Sequence, residues 1–332
     1  MRNASYADGL PDPPPSGGPA PLSVVDSGRH RIWADDAAEF QSTGIAAIHH
    51  DFHRHPAMQL PRLAALAERL WPVGQCRFMA PGTRETSSLD ESVRMRNPAG
   101  YRIAETFRRI DEPGSWISLY NVETDPEYRP FLAEVVEAGR PFLRGEDLDV
   151  FRICGYVFIS APPSVTPFHI DRENNFWLQV RGRKTITVWD RRDREVVGPL
   201  DIENFLLDAS LARVRLDETY RDRGREFPSG PGDGVFFRST SPHMTRSERD
   251  WVTPGDGVAI SIGVVFYTRE TLRQARVHLC NRGLRRMGFR DPAFPGRHRV
   301  LDALKEPVGR ALALRRREWP DVTAWSFGRE KP

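Results

Sequence analysis

From Pro56 onward, Leu60, Leu63, Leu66 and Leu70 recur at spacings of three and four in a segment of good helix formers. That pattern predicts an amphipathic helix, closed by Trp71-Pro72. Further helical stretches are expected over about 98–112 and from Pro126 to about Ala138, either side of an extended piece, Trp116–Val122. Between about 150 and 268 the period shortens to two. Phe151–Ile159, Phe176–Val180, Lys184–Trp189, Gly234–Phe237 and Val258–Tyr267 are β-branched and aromatic runs bounded by Gly, Pro, Asp and Ser. Many short strands with turn chemistry between them predict a sandwich or jelly-roll barrel, not a parallel α/β sheet. After Thr268 the helical pattern returns, with Arg and Leu interleaved to about Arg317. Residues 1–28, with Pro11, Pro13, Pro14, Pro15, Gly17 and Gly18, are too poor in large apolar groups to fold and are expected to be a disordered leader. The expected organisation is therefore this leader, a helical region (29–149) packed on the barrel, a β core (150–268) and a basic helical region (269–332).

Composition narrows the picture only a little. A chain of 332 residues, 39% of them apolar, can bury one large core or two modest ones. The net charge is +3, and 16 Lys/Arg against 7 Asp/Glu from Arg269 onward give that segment +9, leaving −6 for the rest. Nothing in the overall balance argues for a nucleic-acid or membrane partner. Cys76, Cys154 and Cys280 stand at wide, unrelated spacings with no CxxC pair, so they read as reduced thiols. No apolar run approaches a membrane span, and the first residues lack a signal-peptide layout. A cytoplasmic, reducing location is expected.

The chemistry concentrates in Val165-Thr166-Pro167-Phe168-His169-Ile170-Asp171, followed by Asn175-Phe176 and Gly182-Arg183-Lys184. Alternate side chains of a strand share a face, so His169 and Asp171 can offer an imidazole nitrogen and a carboxylate oxygen to one ion. His243, in Ser241-Pro242-His243-Met244, lies beyond the intervening strands and supplies a second histidine. Two His and one carboxylate form the facial triad of non-haem Fe(II) oxygenases, which leaves three coordination positions open. Alone, an HxD is weak, because any strand with a surface His and Asp supplies one. Lys184 adds weight: it is one of only a few lysines in an Arg-dominated chain and begins an apolar strand. An inward ammonium there needs an anion; the bland alternative is a solvated edge lysine.

On these residues the chain resembles the JmjC-type oxygenases of the cupin-like class, most sharply the asparaginyl hydroxylases typified by factor inhibiting HIF. Val-Thr-Pro-x-His-x-Asp, Asn175-Phe176, Gln179, Gly182 and Lys184 stand in that family's order and spacing over 165–184. The resemblance implies a double-stranded β-helix and dependence on Fe(II), 2-oxoglutarate and O2. It implies that His169, Asp171 and His243 hold the metal, that Thr166 and Lys184 bind the distal carboxylate of 2-oxoglutarate, and that Asn175 lies near its chelating end. The tyrosine that the family directs at the distal carboxylate has candidates in Tyr120 and Ser118. Where the family often has Asn after the distal histidine, this chain has Ser261 and Gly263. The implied activity is hydroxylation of an unactivated C–H bond in a peptide or protein side chain or an amino-acid-derived small molecule, with the C-terminal helices pairing two subunits. Arg152, Arg172, Glu173, Asn174, Trp177 and Arg238 are wall residues equally well read as ordinary strand polarity.

Two other classes compete. A cupin metalloenzyme that does not use 2-oxoglutarate would share the triad but has no use for Lys184 and Thr166. A ligand-sensing DNA-binding protein would use the basic segment, but its arginines alternate with Leu and Val and carry no helix-turn-helix signature. His49, His50, His53 and His55 crowd together before the first helix without companion cysteines, and a polar connection is expected there rather than zinc. His278, among Arg and Leu at helical spacing, is expected at a surface or interface.

Overall fold

The computed structural model describes residues 30–36, 44–248 and 257–316. The expected leader lies outside them. The strands are β1 (Ile32–Trp33), β2 (Ile45–His50), β3 (Cys76–Met79), β4 (Val93–Arg94), β5 (Trp116–Leu119), β6 (Val150–Ser160), β7 (Ser164–His169), β8 (Asn174–Arg181), β9 (Lys184–Val188), β10 (Arg225–Ser229), β11 (Asp233–Phe237), β12 (His243–Ser247) and β13 (Ala259–Thr268). The helices are α1 (Leu60–Leu70), α2 (Leu89–Ser92), α3 (Ile103–Arg108), α4 (Arg129–Gly139), α5 (Pro199–Asp208), α6 (Arg269–Arg286) and α7 (Arg299–Arg316).

Two antiparallel sheets face each other. The larger has the order β1-β2-β11-β8-β13-β6-β5-β3-β4 and the smaller β10-β9-β12-β7. From β6 onward the chain crosses from one sheet to the other at nearly every connection, so β6-β13-β8-β11 opposes β7-β12-β9-β10. This is the double-stranded β-helix, a jelly roll with flanking helices.

Both faces of the central strands are buried, which explains why their sequences read as continuous apolar runs. On β8, Phe176, Leu178 and Val180 join Ile260, Ile262, Val264 and Phe266 of β13 and Leu63, Leu66, Leu132 and Val135 of α1 and α4 in the largest core cluster. The other face looks between the sheets, where Trp177, Ile186, Val188, Val235, Phe237 and Ile45 form a second cluster. A third lies outside the small sheet, where Phe168, Trp189 and Met244 meet Ile202, Phe205 and Leu206 of α5. Glycine permits the closest approach in the largest core: a Cβ on Gly139 of α4 would lie 2.3 Å from the Phe176 ring. Gly182, at φ +65°, turns the chain from β8 into β9 and so aims Lys184 into the space between the sheets.

Several sequence expectations need correction. The four-histidine stretch is not a simple connection, because His49 and His50 belong to β2, held between β1 and β11. The helix expected over 98–112 shrinks to Ile103–Arg108, and α5, β10 and β12 went unpredicted. Trp116–Val122 is extended only to Leu119, and a 3-10 turn follows at Val122–Thr124. His278 is buried, 3.9 Å from Glu203 and edge-on to Phe294. All three cysteines are free and buried, and no helix among the described residues is long and apolar enough to cross a membrane.

Candidate metal centre and adjoining anion pocket

β7 and β12 pair with His169 opposite His243, then with Thr166 opposite Thr245. Two residues of β7, Pro167 and Phe168, thus oppose one of β12, Met244, a β-bulge that lets Thr166 and His169 both face the interior despite their odd spacing. Their cross-strand partners agree, since His243 and Thr245 also pair with Val188 and Ile186 of the inner cluster. Asp171 lies past the end of β7. Its backbone carbonyl accepts from Thr240 N–H at 2.8 Å, and Thr240 takes φ 63° to make that approach.

The three side chains converge. Asp171 Oδ1 lies 3.9 Å from His169 Nε2, and Asp171 Oδ2 lies 3.4 Å from His243 Nε2. The imidazole centroids are 4.1 Å apart, and one ligand atom from each residue falls within 4.8 Å of the others. His169 Nδ1 is 2.8 Å from Pro167 O, and His243 Nδ1 is 3.0 Å from Ser241 O. A carbonyl can only accept, so each Nδ1 carries the proton and each Nε2 turns a lone pair toward the shared space. Metal-binding imidazoles need this tautomer and this tether.

Electrostatics point the same way. Burial, followed by the neighbouring His243, lowers His169 to about 4 and keeps it neutral. Burial pushes the Asp171 carboxyl up, but the two histidines and a hydrogen bond from Asn175 outweigh it and hold the group below its ordinary value. Two imidazoles tethered through Nδ1 and one carboxylate are a donor set suited to a divalent first-row metal.

Among the described residues a second group, His30, His55 and Glu134, also brings its ligand atoms within 4.8 Å. Its hydrogen bonds oppose metal binding. His55 Nδ1 accepts from Ala57 N–H at 3.1 Å, which puts the ring proton on Nε2. His30 Nδ1 is engaged with Glu134 at 2.9 Å.

Beyond the triad, strand register orders the interior in rows. Ser261 pairs with Gln179 and Phe158, Gly263 with Trp177 and Tyr156, and Val265 with Asn175 and Cys154. Phe158 in turn pairs with Ser118. Lys184 is 2% exposed, and among the described residues its one polar partner is Ser261 Oγ, at 3.3 Å. No carboxylate among the described residues pairs with it, and burial alone lowers its pKa to about 7. The buried Ser118 Oγ, in the same row, has no hydrogen-bond partner, nor do Asn175 Oδ1 and Gln179 Oε1. A buried ammonium and hydroxyl and amide oxygens without partners are groups that a bound anion can satisfy.

The structure therefore brings Thr166, His169, Asp171, Asn175, Lys184, His243 and Ser261 to one interior. Tyr120 follows β5, tilts against Tyr156 of the interior rows with centroids 4.9 Å apart, and lies beneath the Arg77 guanidinium. Ser118 lies in the Lys184 row. Gly263 leaves space beside Asn175, where a Cβ would come within 3.3–3.4 Å of the amide. Tyr156 was missed; the two-residue alternation Arg152, Cys154, Tyr156, Phe158 would have found it.

No protein-family model matches the chain, and no curated protein matches it. Solved structures with a similar fold include the Escherichia coli ribosomal oxygenase YcfD, at 14% identity over 88% of this chain and 69% of that one, with a TM-score of 0.44. The non-haem α-ketoglutarate-dependent carbocyclase SnoK from nogalamycin biosynthesis is 14% identical over 75% of this chain and 87% of that one, with a TM-score of 0.40. A YcfD structure in complex with cobalt and 2-oxoglutarate is 13% identical over 76% and 59%, with a TM-score of 0.37. Likeness at this level assigns no activity to this chain.

Proposed function

We propose that the chain is an Fe(II)- and 2-oxoglutarate-dependent oxygenase. His169, Asp171 and His243 hold the metal, and Lys184, with Thr166, Ser261 and Ser118 around it, receives the distal carboxylate of 2-oxoglutarate. The observation that carries this reading is the pairing of two carbonyl-tethered imidazoles and a carboxylate with a buried lysine that has no anion. A cupin metalloenzyme without 2-oxoglutarate leaves that lysine unexplained.

Bound there, iron and 2-oxoglutarate would supply an oxidant able to break an unactivated C–H bond, which amino-acid side chains alone cannot do. The protein's own part is orientation and exclusion of water. Pro167 O and Ser241 O fix the histidine tautomers. Asn175 steadies Asp171, and Phe237, 4.5 Å from the His243 ring, closes the apolar side. The motif likeness to asparaginyl hydroxylases over 165–184 supports a peptide, protein or amino-acid-derived substrate.

Four arginines of α6 weigh against the DNA-binding alternative, because they are paired within the molecule. Arg273 pairs with Glu146, Arg276 with Glu306, Arg282 with Asp208 and Arg285 with Glu203. On α7, Val300, Leu304 and Val308 stand 74%, 66% and 50% exposed at four-residue spacing. That apolar stripe supports the pairing of two copies through these helices, which the sedimentation of wild type against Leu304→Glu tests.

Succinate formation tests the function. It should require both Fe(II) and 2-oxoglutarate and should vanish in His169→Ala. Turnover retained in that variant would refute the assignment.

A further inference from the structure

The turn that joins β11 to β12 touches two of the three triad residues. Its four residues, Arg238 to Ser241, close on a hydrogen bond from Ser241 N–H to Arg238 O at 3.0 Å. Within it, Thr240 N–H donates to Asp171 O, and Ser241 O tethers His243 Nδ1. A shift of this turn would therefore re-aim the carboxylate and release one imidazole from its tautomer-fixing partner.

The turn is itself held by a residue that belongs to none of the barrel strands. Asp147 lies in the 3-10 turn Gly145–Leu148 ahead of β6 and is 2% exposed. Its Oδ2 lies 2.8 Å from Arg238 Nη1, while its Oδ1 accepts from the Thr268 hydroxyl at 2.9 Å and from Asn174 Nδ2 at 3.3 Å. Asn174 carries the link onward, because its Oδ1 accepts from Ser239 N–H at 3.0 Å. The Arg238 stem runs over Gly44, where a Cβ would come within 2.8 Å of Arg238 Cδ, and Arg238 N–H donates to Gly44 O. One carboxylate thus grips two successive residues of the turn, Arg238 directly and Ser239 through an amide, and ties them to the start of β8 and the end of β13. A buried ion pair contributes little net stability, because both charges give up water to form it. What this one supplies is a fixed geometry next to the metal ligands.

Resting on the metal site of the oxygenase reading, we propose that Asp147 is a positioning residue: through Arg238 and Asn174 it sets the turn that aims Asp171 and His243 at one ion.

The test compares wild type with Asp147→Asn, Arg238→Met and the double variant, by Mn(II) titration and by amide hydrogen exchange. Each single variant leaves a buried charge without its partner and should destabilise the fold. The double variant removes both charges and should recover part of that stability, but not the position of the turn. All three should bind Mn(II) roughly 10- to 100-fold more weakly than wild type, as loss of an outer partner of a metal ligand does. Thr240 N–H should exchange faster in all three, while α1 and α4 keep wild-type protection in the double variant. A double variant with wild-type Mn(II) affinity and wild-type Thr240 protection would overturn the proposal, and so would a wild type that binds no Mn(II). 2-Oxoglutarate affinity of the Mn(II)-loaded wild type reports separately on the oxygenase reading. Its absence would overturn that reading, while Mn(II) affinity and exchange still judged Asp147.

Discussion

Replacing Lys184 with methionine separates a structural lysine from one kept for a ligand. Methionine has nearly the same length and no charge, so it fills the same interior slot. In the absence of a ligand anion, burial takes the lysine from its ordinary 10.5 to about 7, a cost on the order of 4–5 kcal/mol for holding the ammonium there at neutral pH. Lys184→Met should therefore unfold at a higher temperature than wild type without ligand, by a few kcal/mol after allowance for imperfect packing. The sign has a pH signature. The depressed folded-state pKa means that the unfolded chain binds more protons between about 7 and 10.5, so ligand-free wild type should gain stability across that window, and the variant should lose that part of the slope. Affinity should move the other way. Losing a charge-assisted contact to the distal carboxylate should weaken 2-oxoglutarate by roughly 1.5–3 kcal/mol, about 10- to 150-fold. Thermal unfolding from pH 6.5 to 10, with calorimetric titration of 2-oxoglutarate, reads both effects. A variant that is less stable and binds 2-oxoglutarate as wild type does would refute the reasoning.

Other consequences are more local. His243→Ala should lose one equivalent of Mn(II) or Fe(II) by elemental analysis yet keep its fold by circular dichroism, because His243 begins β12 and its side chain can be removed without breaking the backbone pairing of β12 with β7 and β9. Gly234→Ala should be severely destabilising, since the new Cβ would fall 2.5 Å from Trp177 O in the backbone; chemical denaturation would show a loss of several kcal/mol or no soluble protein. Leu66→Ala, in the fully buried α1 face, should cost about 2–5 kcal/mol by the same measurement and leave 2-oxoglutarate affinity unchanged.

How much of this was legible in the sequence follows from the range of each interaction. Spacings of two and of three to four residues located β6, β8, β9, β11, β13 and α1, because local burial sets them. His169, Asp171 and His243 were legible because a short motif and one later histidine carry them, and Lys184 because an isolated lysine in an apolar strand needs a reason. The bulge that turns Thr166 inward beside His169 arises from pairing with β12, a partner seventy-odd residues away, so no local period reveals it. His49 and His50 looked like loop residues because β2 owes its strand to β11. The Glu173–Tyr267 contact spans 94 positions, and Glu173 alone resembled ordinary strand polarity.

The most direct test of the central claim is the anaerobic addition of Fe(II) and then 2-oxoglutarate to the purified chain, followed by visible absorption. A weak metal-to-ligand charge-transfer band should grow to saturation at one equivalent of each, and it should be missing in His169→Ala and require far more 2-oxoglutarate in Lys184→Met. A wild-type protein that binds iron without developing the band, or develops it equally in His169→Ala, would contradict the account.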